Sequence, residues 1–173
     1  MSDAKEYSVI EELRDGRRIE IRALRPDDRA NMLAAVGRIS AQSLYRRFFG
    51  AKRDFSEQEK AYYLDVDFIN HVALVATVEQ GGRTEIVGGA RYVVVKPGTA
   101  EVAFAVVDEF QGKGIGSTLM RHLTLLARKA GLKAMIAEVL PENAAMLKVF
   151  EKSGTEVATT RDGGVVHVRV QIS

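Results

Sequence analysis

The chain contains no cysteine, which removes disulfides, thiolate zinc sites and cysteine nucleophiles together. Histidine is scarce as well: His71, His122 and His167 are too scattered to suggest a metal site, and none is expected. No apolar run approaches the ~20 residues of a membrane-spanning helix. The opening Met1-Ser2-Asp3-Ala4-Lys5-Glu6 is polar and lacks the apolar core of a signal peptide. A soluble, cytoplasmic protein with no membrane partner is expected. Charge is nearly balanced, 25 basic against 23 acidic residues, and a net +2 is too small to argue for nucleic acid. The basic pairs Arg46-Arg47, Lys52-Arg53 and Arg128-Lys129 read as solvated surface. Repeats, low-complexity segments and linkers are also missing, so the 173 residues are expected to form one domain over 1–173.

What the chain does have is a glycine-rich stretch, Gln111-Gly112-Lys113-Gly114-Ile115-Gly116-Ser117, between an apolar run and an amphipathic one. Val102 to Val107 reads as a strand. The apolar positions Ile115, Leu119, Met120, Leu123, Leu126, Ala127 and Ala130 fit one face of a helix. A strand, a glycine turn and a helix N-terminus expose free N–H groups backed by the helix dipole. Glycines at 112, 114 and 116 let the backbone approach a ligand with no Cβ in the way. The pattern implies a cradle for a phosphate or pyrophosphate.

The rest of the chain supplies the setting. Residues 1–16 read as a loose lead-in ending at Asp15-Gly16. Arg18 to Ala23 alternates as a strand, and Pro26 with Asp27-Asp28 starts a helix that runs to about Gly37. Ser40 and the Ser56…Glu59 capping pattern open two further helices, closed at Gly50 and after Leu64. From residue 71 the period changes. Val72 to Glu79, Glu85 to Val95 and Ala100 to Val107 read as strands, with turns at Gly81-Gly82 and Pro97-Gly98, hence an antiparallel meander. After the loop and helix, Ala134 to Leu140 is a strand reached by a parallel crossover. Asn143 to Lys152 is a helix, and Thr155 to Arg161 and Val165 to Gln171 are two last strands. A Walker A loop is excluded because no lysine precedes Ser117. A dinucleotide-binding fingerprint fits poorly: Ser117 replaces its third glycine, and too little chain follows Glu138 for more βαβ units.

Gln111-Gly112-Lys113-Gly114-Ile115-Gly116 instead resembles the Gln/Arg-x-x-Gly-x-Gly/Ala signature of the GNAT superfamily of N-acetyltransferases. The element order over residues 18–171 and the segment Glu138-Val139-Leu140-Pro141-Glu142-Asn143-Ala144-Ala145-Met146 are similar to that superfamily too. Within it, Leu44-Tyr45-Arg46-Arg47-Phe48-Phe49 and Ala100 to Val107 resemble the catalytic domain of bacterial protein-lysine acetyltransferases. The resemblance implies a mixed α/β GNAT fold: a central, mostly antiparallel seven-stranded sheet with a splayed parallel pair, flanked by helices. It implies acetyl-CoA as cosubstrate, its pyrophosphate held by Gln111, Gly112, Lys113, Gly114, Ile115, Gly116 and Ser117. Pantetheine would pair with backbone freed by a distortion in the strand holding Ala105, Val106 and Val107, with Met146 and Phe150 in the donor site and Asn143 either hydrogen-bonding coenzyme A or capping its own helix. Other implied partners are a protein with an acceptor lysine, acyl-CoA synthetases among the candidates, and a second copy of the chain if it is a homodimer and not a monomer. Small amines and protein N-termini are alternative acceptors, and a non-catalytic acyl-CoA sensor is the alternative class.

Acetyl transfer needs a neutral amine, and deprotonating a lysine of pKa ~10.4 at pH 7 costs roughly 4.6 kcal/mol. Glu101, the only acid in its apolar strand, aligns with the general base of lysine-acetylating relatives. Roughly 13 Å of strand separate it from Ala105, so a bridging water is expected. Burial among Ala100, Val102 and Ala103 would raise its pKa; the plain alternatives are a solvent-facing carboxylate or a structural pair with Arg91. Asp108, Glu109 and Glu138 are reserve acids, and Lys148 and Lys152 reserve phosphate contacts. Phe150 stands where many superfamily members carry a tyrosine that protonates the departing thiolate, a role phenylalanine cannot fill.

Overall fold

The computed structural model describes residues 3–37, 66–139, 141, 144–151 and 156–172. The two helices expected between 40 and 64, with Tyr45, Arg46 and Arg47, lie outside the described residues, as do Asn143 and Lys152.

Among the described residues eight strands form one sheet: β1 (Ser8–Glu12), β2 (Arg18–Ala23), β3 (His71–Gln80), β4 (Arg83–Lys96), β5 (Thr99–Val106), β6 (Ala134–Val139), β7 (Val157–Asp162) and β8 (Val165–Gln171). Their order is β1-β2-β3-β4-β5-β6-β8-β7. Three helices of the described residues accompany them: α1 (Arg29–Gly37), α2 (Ile115–Lys129) and α3 (Ala144–Glu151). The sheet therefore has one strand more than the seven expected. The lead-in is not loose: β1 pairs antiparallel with β2 from Ser8↔Arg22 to Glu12↔Arg18. As an edge strand its residues are at most half-buried, so it carries no apolar alternation for a sequence reading to find.

β3, β4 and β5 are the expected meander, and β5–β6 is the one parallel pairing among the described residues. That pairing lasts three residues, Thr99↔Ala134 to Glu101↔Ile136. Beyond it β5 runs on to Val106 beside β4 alone, while β6 runs on to Val139 beside β8. The two strands part there, as the splayed pair requires.

α2 packs on β3, β4 and β5 and against α3. A Cβ at Gly88 would lie 3.2 Å from Ile115 Cγ2 and 3.4 Å from Leu119 Cδ1, so a bare strand backbone lets α2 sit close to the sheet. Six of the seven α2 positions expected to face inward are buried. Ala130 is exposed because it is the C-cap residue, past the last helical turn. His122 and Thr124 are buried as well, each with its polar atoms satisfied: Thr124 Oγ1 donates to the Met120 carbonyl at 2.8 Å, and His122 bonds Tyr7 and Glu11.

Candidate active site

The loop between β5 and α2 begins with a 3-10 turn, Asp108–Phe110. Asp108 and Glu109 are exposed there and start the loop. Gln111 folds its side chain back, Nε2 donating to the Val106 carbonyl at 3.0 Å, and so ties the loop to the end of β5. Gly112 and Gly114 take φ of +78° and +91°, values that an L side chain resists. Gly114 is the N-cap of α2 and offers no side-chain cap. The first bond into the helix is Thr118 N–H to the Gly114 carbonyl at 3.0 Å. The N–H groups of Ile115, Gly116 and Ser117 thus have no acceptor among the described residues. Donors converging at the positive end of a helix suit a pyrophosphate.

Individual members of the expected loop set differ in what they can do. Gly116 has an ordinary helical backbone, and a Cβ there would rest 3.4 Å from Phe104 Cε2, an ordinary contact, so its bareness is not what opens the cradle. Ile115 is buried under the sheet and contributes its backbone alone. Lys113 Nζ lies 3.5 Å from Asp15 Oδ2. Ser117 lines a groove beside the loop.

On β5 the expected distortion at Ala105-Val106-Val107 is absent. Register with β4 is continuous from Gly88↔Val106 to Val94↔Ala100. The extra residue sits one strand over, at Val87 of β4, between the pairs Ala76↔Gly88 and Thr77↔Ile86. Val87's carbonyl accepts the Val107 N–H at 2.9 Å. Because backbone groups alternate sides along a strand, Val107 and Ala105 then face β4, and Val102, Phe104 and Val106 face the gap toward β6. Of the three residues expected to offer backbone there, Val106 alone turns its backbone groups toward the gap. Met146 is half-buried against the core. Phe150 is 1% exposed, its ring 5.6 Å from that of Phe104. Lys148 is exposed on α3.

Glu101 belongs to the last pair before β5 and β6 part. Its neighbours Ala100 and Val102 face the buried side of the sheet, while Glu101 is on the other and exposed. The burial expected for Glu101 is therefore not there. Arg91, considered as its structural partner, donates from Nη1 to His71 Nε2 at 2.9 Å. Glu101 makes no ion pair among the described residues. It opens on a hollow of about 400 Å³ with Ile136, Glu138, Thr160, His167 and Arg169. In that hollow His167 Nδ1 lies 3.4 Å from Glu138 Oε2. His167, Thr160 and Arg169 were missed by the sequence reading. The alternation Val166, Val168, Val170 against His167 and Arg169 was the available signal, since it marks one polar face of β8.

A second charged cluster ties β1 to α2. Glu11 Oε2 accepts from His122 Nε2 at 2.5 Å and from Arg121 Nη1 at 3.1 Å, and Tyr7 OH bonds His122 Nδ1. The Arg121 hydrogen bond, with help from His122, holds the Glu11 carboxyl below its ordinary range. Burial, with the Glu11 charge nearby, pushes the Tyr7 phenol up.

This architecture has known counterparts. The Acetyltransferase (GNAT) family model matches residues 36–155. An acetyltransferase of Pseudomonas aeruginosa is 34% identical over 138 residues, 79% of this chain and 74% of that one. Acetyltransferase Pat of Mycolicibacterium smegmatis is 33% identical over 163 residues, 93% of this chain; the match spans 48% of Pat, about half its length. Among solved structures, the GNAT domain of S. lividans PAT superposes with a TM-score of 0.85 at 32% identity, covering 95% of this chain and 96% of that one. With the glycine loop at a helix N-terminus, the parted β5–β6 pair and these relatives together, the chain belongs to the GNAT family of acetyltransferases.

Proposed function

We propose that the protein transfers acetyl from acetyl-CoA to the side-chain amine of a protein lysine, by direct attack with Glu101 as general base through a bridging water. The observation that carries the mechanism is the position of Glu101: a carboxylate with no ion pair among the described residues, on the last residue pair before β5 and β6 separate. The donor and acceptor would meet at that separation. When bound, acetyl-CoA supplies a thioester whose acyl carbon the amine can attack. The loop N–H groups from Ile115 to Ser117 hold its pyrophosphate, and Gln111 fixes the loop to Val106. Backbone groups of Phe104 and Val106 face the gap and serve the pantetheine arm, one N–H polarising the thioester carbonyl. Glu101 accepts the proton that a lysine must lose before it attacks. No described side chain is assigned to the leaving thiolate; a thiol's pKa of ~8.5 makes it a competent leaving group without help.

Lysine as acceptor follows from the sequence resemblance to protein-lysine acetyltransferase catalytic domains, and the open, charged hollow beside Glu101 is compatible with a lysine-bearing protein surface. The test is Glu101→Gln, which keeps shape and removes basicity. Turnover, followed as free thiol released with a lysine-containing protein acceptor, should fall by about 10²-fold or more, while acetyl-CoA affinity stays the same. Unaltered turnover would reject Glu101 as the base. Mass spectrometry of lysate proteins treated with the purified enzyme and acetyl-CoA would identify the acceptors; modification confined to N-termini or to small amines would overturn the lysine assignment.

A further inference from the structure

The turn between β1 and β2 lies against the N-terminal end of α2. Its Asp15 meets Lys113, and the Arg17 guanidinium sits 5.2 Å over the Phe110 ring. Arg14 Nε is 3.7 Å from where a Cβ on Gly114 would stand. β1 is itself fastened to α2 through the Tyr7–His122–Glu11–Arg121 cluster. The hairpin therefore forms the second wall of a groove of about 260 Å³. Glu12 and Arg14 face Lys113, Gly114, Ser117 and Arg121 across it.

The charges around this groove are not all accounted for. Lys113 is balanced by Asp15, and Arg121 by Glu11. Arg14 makes no ion pair and no side-chain hydrogen bond among the described residues, and Glu12, although it lines the same groove, does not pair with it. A free guanidinium leaning over a helix N-cap works against the helix dipole. A multi-oxygen anion in the groove would reverse that balance, because guanidinium, ammonium and backbone N–H groups would all donate to it.

We propose that Arg14 binds a phosphate of the ADP portion of acetyl-CoA, which makes the N-terminal hairpin part of the donor site. This rests on the acetyl-CoA reading above and extends it to a residue that lies about one hundred positions before the loop. Two groups of the same chemistry could be the partner, the pyrophosphate and the ribose 3′-phosphate.

Calorimetric titration of the full chain with acetyl-CoA and with 3′-dephospho-acetyl-CoA separates them. Arg14→Gln should weaken acetyl-CoA binding about five- to tenfold, raise its KM by a similar factor and leave kcat unchanged. Arg14→Lys should recover part of the loss. If the deficit disappears with the 3′-dephospho donor, the 3′-phosphate is the partner; if it persists, the pyrophosphate is. Equal affinities for wild type and Arg14→Gln with both donors would overturn the proposal. So would weakened binding matched by a lower thermal midpoint of the ligand-free variant. A wild-type protein that binds no acetyl-CoA at all would remove the donor reading itself, a result distinct from normal binding that is indifferent to Arg14.

Discussion

Gly114 and Gly116 stand two residues apart in the same loop, yet the backbone asks different things of them. Gly114 caps α2 at φ +91°, where a side chain is strained whatever the free space. Gly116 has an ordinary helical backbone with ordinary clearance. Gly114→Ala should therefore cost about 1–2 kcal/mol of stability and weaken acetyl-CoA binding by misplacing the cradle N–H groups. Gly116→Ala should be neutral, or stabilising by up to about 1 kcal/mol, through helix propensity. Urea unfolding of the two variants decides: comparable losses at both positions would contradict this assignment. The same residue-level physics explains why the loop was readable in the chain. Positive φ and a bare helix start demand glycine, so the demand is written in residue type. Arg14 is the contrary case. Nothing in its neighbours distinguishes it from other surface arginines, and its significance comes wholly from a hairpin that folds over the loop.

At the scale of elements, what was legible is what carries a period. The meander from His71 to Val106 and the buried face of α2 follow from alternation and from 3.6-residue spacing, and both were read within two residues of their ends. β1 carried no such signal because Ser8–Glu12 buries little. The segment at Pro26-Asp27-Asp28 was legible as a helix start, where acids complement the positive end of the dipole, but the partner of Asp28 was not. Asp28 does not merely complement a dipole. It is buried and receives two guanidinium bonds from Arg22, both at 2.8 Å, and the Arg25 N–H at 2.7 Å. Burial alone would raise the Asp28 carboxyl; the Arg22 and Arg25 bonds outweigh it and hold the group below its ordinary range. A carboxylate whose folded pKa is depressed stabilises the fold fully above its unfolded value, ~3.9. That contribution disappears as pH falls through the lower, folded value. Asp28→Asn should thus cost about 3 kcal/mol at pH 7, since it leaves the buried Arg22 unpaired. The gap between variant and wild type should narrow below about pH 4, where the carboxyl of the unfolded chain begins to take up protons while the native one still resists them. Denaturant unfolding at pH 7 and pH 3 checks both statements, and a gap independent of pH would show that the charge of Asp28 is not what stabilises this corner.

Over the whole molecule, the parted strands that make room for a donor also weaken the sheet at its middle. Among the described residues, β1 to β5 and β6 to β8 share only the three-residue pairing from Thr99↔Ala134 to Glu101↔Ile136. The gap cannot close without removing the exposed backbone of β5, so the two halves must be joined by something other than ladder hydrogen bonds. Side-chain packing does this. Buried residues of both halves belong to one core, and in it Phe150 of α3, the helix that follows β6, is buried against Phe104 of β5, while α3 packs on α2, which in turn covers β3, β4 and β5. An aromatic ring is well suited to the position, since it fills a wide space with few rotatable bonds and needs no polar partner. This also gives a physical reason for a phenylalanine where many relatives carry a tyrosine: in a site this closed, a hydroxyl would need a hydrogen-bond partner or cost stability. Truncating the ring should accordingly be felt by the entire fold. Phe150→Ala should lower unfolding free energy by about 3–5 kcal/mol while unfolding remains a single transition, with near-UV and far-UV signals lost together. Two separated transitions would mean that the halves hold independently of this contact, and a loss below about 1 kcal/mol would mean that Phe150 is not the side chain that joins them.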